Sequence, residues 1–202
     1  MESISEMEIK NFLGKKAKDI YGRYLGLVVS ILKNNDDELE YIQVDFNEGR
    51  LVKYAAEQIM TDKDEIIIMP TWRIEVENIK KEIGQMNKRM NALREMIEKE
   101  EIGKEIYEGL KLSQSSSLKE LLEKHDKSIT SLKDRLKELD IQINELSSFL
   151  VEMRTGKTAG EIQDDEYEKA LKSIEQNLNY LFLEKKDIEE LLIDLEKIRN
   201  LP

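Results

Sequence analysis

The stretch Thr155–Gly160, "TGKTAG", sets Gly-Lys-Thr in a row, the closing half of a loop whose backbone N–H groups and lysine can cradle phosphates. Such a loop also needs glycine at position 151, which is Val151, and an apolar strand before it, where a heptad-patterned segment stands instead. His125 is the one histidine and there is no cysteine, so neither a His/Cys zinc set nor a Cys–His nucleophile pair can be built. Carboxylates are abundant, but they recur at helical spacing away from the apolar positions, as on a solvated face rather than in an acid/base pair. No catalytic, cofactor-binding or metal-binding residue is assigned, and the chain is read as a non-enzyme.

The elements behind these residues follow from composition. The chain has 202 residues, 40% hydrophobic and 37% charged, with a net charge of −11. That balance suits an elongated, helix-rich molecule better than one large core. Residues 1–70 hold 9 Lys/Arg against 14 Asp/Glu, and the remainder 23 against 29. Neither part is built to meet phosphates, although Arg73–Arg94 carries six basic residues against three acidic ones; nucleic acid is disfavoured as a partner. The absence of cysteine fits a reducing compartment. "MESISEMEIK" is no targeting leader and no apolar run could span a membrane, so a cytoplasmic home is expected.

Two zones divide near Pro70, giving an α+β expectation of a small all-β barrel over 1–70 and antiparallel coiled-coil helices over 71–202. In the first zone Leu25, Leu27, Val29 and Ile31 alternate, as do Ile42, Val44 and Phe46, and each run predicts a strand with those residues toward a core. "RLVKY" and "DEIIIM" add two more, so about five or six strands are expected in a small curled sheet. Gly14, Gly22 and Gly26 are the turn and close-approach glycines: Gly22 where "DIYGR" reverses, and Gly26 where another backbone comes near.

After Pro70 the period becomes 3.5. Thr71 is placed to cap the first helix, about 72–100, whose seam runs Val76, Ile79, Ile83, Met86, Met90, Leu93 and Ile97. A second seam runs Leu118, Leu122, His125, Ile129, Leu132, Leu136, Leu139, Ile143, Leu146, Leu150 and Met153 on a helix over 104–153, with 113–117 as a candidate kink where Ser117 and Glu120 would form a capping box. His125 on this seam reads as a buried polar residue that fixes register. The third helix, 164–199, carries Tyr167, Leu171, Ile174, Leu178, Leu181, Ile188, Leu192 and Leu195. Lys185 falls in its seam as a flaw or the end of pairing. Single apolar stripes on so charged a surface require partner helices, and an elongated homo-oligomer or filament is expected.

An internal repeat joins the helices. "EIGKEIYEGLK" from Glu101 and "EIQDDEYEKALK" from Glu161 share Glu, Ile, Tyr and Glu at an offset of 60 and read as two chain reversals, the second with Asp164 as N-cap.

"FLGKKAKDIYGRYLGLVVSIL" resembles the opening of a PRC-barrel domain, and "IIIMPTW" running into a long coiled coil is similar to the archaeal CdvA cell-division family over essentially the whole chain. The resemblance implies a PRC-type barrel and a scaffold without cofactor that assembles with itself through its coiled coil. It implies an ESCRT-III-like division protein as partner and a place on the inner face of the membrane, reached peripherally or through a partner. Better-known members carry a tail that docks the ESCRT-III-like protein; this chain ends at "RNLP", so the expectation is either recruitment through another surface or a shorter, tail-less paralogue with a related scaffold role. The same residues also allow a PRC-barrel factor in ribosome or RNP assembly, or a general coiled-coil adaptor.

Overall fold

The computed structural model describes residues 12–46, 49–62 and 65–199. The N-terminal "MESISEMEIK", two residues of the "NEG" turn, the first residue of "DEIIIM" and the final "NLP" lie outside them. The fold is α+β, and the chain divides into two units, Met1–Ile74 and Glu75–Pro202.

In the first unit β1 (Lys16–Asp19), β2 (Tyr24–Lys33), β3 (Leu39–Asp45), β4 (Leu51–Ala55), β5 (Ile59–Asp62) and β6 (Glu65–Ile68) form one sheet ordered β4-β3-β2-β1-β6-β5. Neighbours are antiparallel except β1 and β6, which are parallel. Phe12, Ala17, Val28, Ile42, Val44, Ile59, Ile66 and Ile68 share one buried cluster. Tyr54 of β4 packs against the same cluster as Ile59 of β5, so strands at opposite ends of the order meet and the sheet is curled. β5 has no alternation to announce it, because only Ile59 of "IMTD" is buried.

The expected inward set on β2 is corrected. Leu27 and Val29 are exposed, whereas Val28 is buried and Leu25 and Ile31 pack at the edge of the core. Two register shifts cause this. Pairing steps from Ala17↔Gly26 to Lys18↔Tyr24, skipping Leu25, and from Val28↔Val44 to Ser30↔Gln43, skipping Val29. Each extra residue reverses which side chains point inward. Phe46, one residue beyond β3, is likewise exposed.

The three glycines have positive φ: 76° at Gly14, 93° at Gly22 and 140° at Gly26. At the β1–β2 reversal Gly22 N–H donates to the Asp19 carbonyl (3.0 Å), while the Asp19 carboxylate accepts from the Tyr21 and Arg23 N–H groups at 2.9 and 2.8 Å. At Gly26 a Cβ would lie 1.9 Å from the Asp45 carbonyl oxygen, so β2 and β3 can approach there only over glycine.

The exit from the sheet differs from expectation at one residue. Gln58 Nε2 donates to the Met69 carbonyl (3.3 Å) and Thr71 Oγ1 (3.1 Å), and the Pro70 carbonyl accepts from Arg73 N–H at 3.0 Å. The Thr71 hydroxyl therefore serves the strap from Gln58, and Pro70 holds the helix start.

The second unit contains α1 (Thr71–Glu98), α2 (Lys104–Thr158) and α3 (Asp164–Arg199). The kink expected at 113–117 is absent: α2 runs unbroken through "SQSSS" and five residues past Met153. Ser115 Oγ returns a hydrogen bond to the Leu112 carbonyl (2.7 Å), so the hydroxyl is satisfied without leaving the helix. At ~1.5 Å per residue α2 is about 82 Å long.

Gly26→Ala should cost more stability than Gly22→Ala. The second pays the strain of positive φ, about 1–2 kcal/mol, while the first adds a clash with fixed backbone. Thermal melts of the two variants check the order, and equal losses would show that the β2–β3 approach is not rigid.

Candidate functional site: a helical bundle closed around His125

The seams of α1, α2 and α3 meet one another inside one chain, which supplies partner helices for these stripes. Lys80 of α1 bonds Asp194 of α3 at 3.2 Å, Ile79 shares a cleft with Lys124, Lys127 and Ser128 of α2, and His125 of α2 reaches Leu195 of α3. Three helices therefore meet around 76–83, 121–128 and 188–195. Val76, Ile79, Ile83, Leu121, Ile188, Leu191, Leu192 and Leu195 are all buried there. Toward the α2–α3 reversal only those two helices pack, with Leu132, Leu139, Ile143, Leu178 and Leu181 buried.

Each predicted seam residue can be placed. On α1, Val76, Ile79, Ile83 and Leu93 are buried and Met86, Met90 and Ile97 half-buried. On α2, His125, Leu132, Leu139 and Ile143 are buried, and Ile129, Leu136, Leu146 and Leu150 half-buried. At its start the seam shifts, with Leu121 buried and Leu118 exposed, because the third helix adds contacts off the two-helix stripe.

His125 is fully enclosed. Its Nε2 lies 3.0 Å from the Leu195 carbonyl and its Nδ1 3.2 Å from Asp126 Oδ1. A carbonyl can only accept, so Nε2 carries the proton and donates it, holding α2 in register with the last turns of α3. An apolar residue of the same size would fill the space without choosing an axial position.

Lys185 is not where pairing ends. It bonds Asp140 at 2.6 Å, and beside it the buried Glu184 accepts from Arg135 Nε at 2.8 Å while Arg135 Nη1 reaches Glu138 at 2.8 Å. The bond to Asp140 holds the Lys185 ammonium above its ordinary pKa. Burial alone would lower Arg135, but its two carboxylate bonds leave it raised. Glu184 and Leu191 were invisible to a two-helix heptad reading: Leu191 is buried where all three helices meet, and Glu184 is held inward by Arg135 across the α2–α3 pair.

The repeated reversals are one motif used twice. Glu101 N–H donates to the Met96 carbonyl and Glu161 N–H to the Gly156 carbonyl, both at 2.9 Å, while Glu100 and Gly160 N–H groups donate to Ile97 and Lys157. These bonds are the Schellman pattern, with its left-handed residue at Glu100 (φ 58°) and Gly160 (φ 76°). Asp164 is not the cap of α3: the Gln163 carbonyl accepts from Tyr167 N–H, and Asp164 pairs with Lys157. Among the described residues no cluster of His, Cys, Asp and Glu could hold a metal ion, and no helix is long and apolar enough to cross a membrane.

Residues 71–202 match the profile of the CdvA-like coiled-coil domain, and residues 4–75 match the PRC-barrel domain. The chain is 26% identical over 188 residues to the Cell division protein A of Sulfolobus acidocaldarius, covering 93% of this chain and 79% of that protein.

Two outcomes are expected. Glu100→Gly should stabilise the protein by about 0.5–1 kcal/mol, because glycine relieves the left-handed strain and gives back part of the gain as unfolded-state entropy; an unchanged or lower melting temperature would count against the motif. Lys80 holds the Asp194 carboxyl below its usual range. A lowered folded-state pKa gives stability present above the unfolded value, about 4, and lost as pH falls below it. Melts between pH 6 and pH 3 should therefore fall more steeply for wild type than for Asp194→Asn.

Proposed function

We propose, from the premise that this chain belongs to the CdvA-like coiled-coil family, that it is a non-enzymatic scaffold of archaeal cell division. It assembles with copies of itself and acts with an ESCRT-III-like protein on the inner face of the membrane. The observation that carries this reading is the order of parts: a curled β-head leading directly into helices whose seams close within one chain. The similarity to a cell division protein over 93% of the chain supports it. With many seam residues turned toward neighbouring helices, the outer faces stay available for other contacts, so self-assembly uses surfaces outside the buried seam residues. Membrane contact is peripheral or through the partner.

A tagged copy in dividing cells should gather in a band at the division site, and pull-down should enrich ESCRT-III-like proteins. Diffuse signal with enrichment of ribosomal subunits would overturn the scaffold reading in favour of RNP assembly.

A further inference from the structure

The register shifts in β2 have turned an apolar row outward. Lys16, Leu27, Asp45 and Leu51 are cross-strand neighbours, as are Ser30, Gln43 and Lys53, and Leu32, Tyr41 and Ala55. These rows lie on the face opposite Val28 and Val44, and paired residues share a face. Leu27, Leu32 and Leu51 are 41%, 41% and 53% exposed there. The Lys53 ammonium sits over the Tyr41 ring at 4.6 Å, and the Arg50 guanidinium over Phe46 at 5.6 Å. Within an acidic chain this outer face thus carries Leu27, Leu32, Leu51 and Tyr41 with Lys16 and Lys53 against Asp45.

The α2–α3 reversal has the complementary character. An open cavity of about 430 Å³ is lined by Phe149, Glu152, Met153, Glu161, Ile162 and Ile174. Phe149 and nearby Val151 are 53% and 63% exposed. Residues 145–168 hold seven Asp/Glu against two Lys/Arg. Two copies of the sheet face would set Lys53 against Lys53, and two hairpin ends would set carboxylates against carboxylates. The favourable pairing is one face on the other.

We propose that the outer face of β2–β3–β4 in one copy docks on the acidic, apolar α2–α3 reversal of a second copy. The inference rests on the self-assembly reading and deepens it by naming the surfaces. Such a contact is heterologous, so each copy keeps one face of each kind free and assembly continues copy by copy instead of closing as a dimer.

Sedimentation velocity over a concentration series tests this, with circular dichroism to confirm that each variant is folded; all substituted positions are on the surface. Lys53→Glu and Glu152→Lys should each weaken association about tenfold or more, and the double variant should recover most of it through the exchanged charges. Leu51→Asp should weaken it without rescue by Glu152→Lys. If wild type assembles and the single variants assemble equally well, or the double variant recovers nothing, these faces do not meet while self-assembly stands. A wild-type chain that remains monomeric at every concentration overturns both.

Discussion

Helix α2 has one apolar seam and two helices to satisfy with it. Over its last three-fifths it packs against α3, with Leu132, Leu139 and Ile143 buried, and around His125 it meets α1 as well. Everything else in the helical unit follows from that sharing. α1 and α3 must enter from opposite ends, both reversals must be tight, and the three-helix layer can form only where the two partners overlap. A helix of 28 residues and one of 36 cannot both run the length of one of 55 without meeting.

Polar groups then decide where along the seam the helices stop. Apolar stripes of Leu and Ile slide with little penalty, since one heptad resembles the next. His125 bonded to the Leu195 carbonyl, Glu184 to Arg135, and Lys185 to Asp140 each lose their partner if the helices shift by a turn. Leaving a buried carboxylate or imidazole unpaired costs more than these bonds contribute to stability when formed. Their role is to set the axial position of α3 against α2.

The β-head shows the same economy in another form. Two bulges on β2 let six short strands curl over a core of eight buried residues, and the same bulges send Leu27 and Val29 outward. The exposed apolar residues of the sheet face and of the α2–α3 reversal lie among side chains of different charge.

The change from strands to helices after Pro70, the repeated reversals at an offset of 60 and the positive φ of Gly22 and Gly26 were legible in the chain, because periodicity, turn geometry and capping are local properties. The inward face of β2 was not, since a bulge is fixed by the partner strand and one skipped residue reverses the alternation. The unbroken course of α2 through "SQSSS" was hidden too: serine suits a cap or turn, but here Ser115 returns its hydroxyl to the Leu112 carbonyl and the helix continues to the packed stretch that begins at Leu121. The bonds of Glu184 to Arg135 and of Lys185 to Asp140 depended on which α2 residues stand opposite, and the burial of Leu191 on the third helix at its level. Sequence determined which residues wanted burial; tertiary structure decided who buried them, because partner and register are set between segments far apart along the chain.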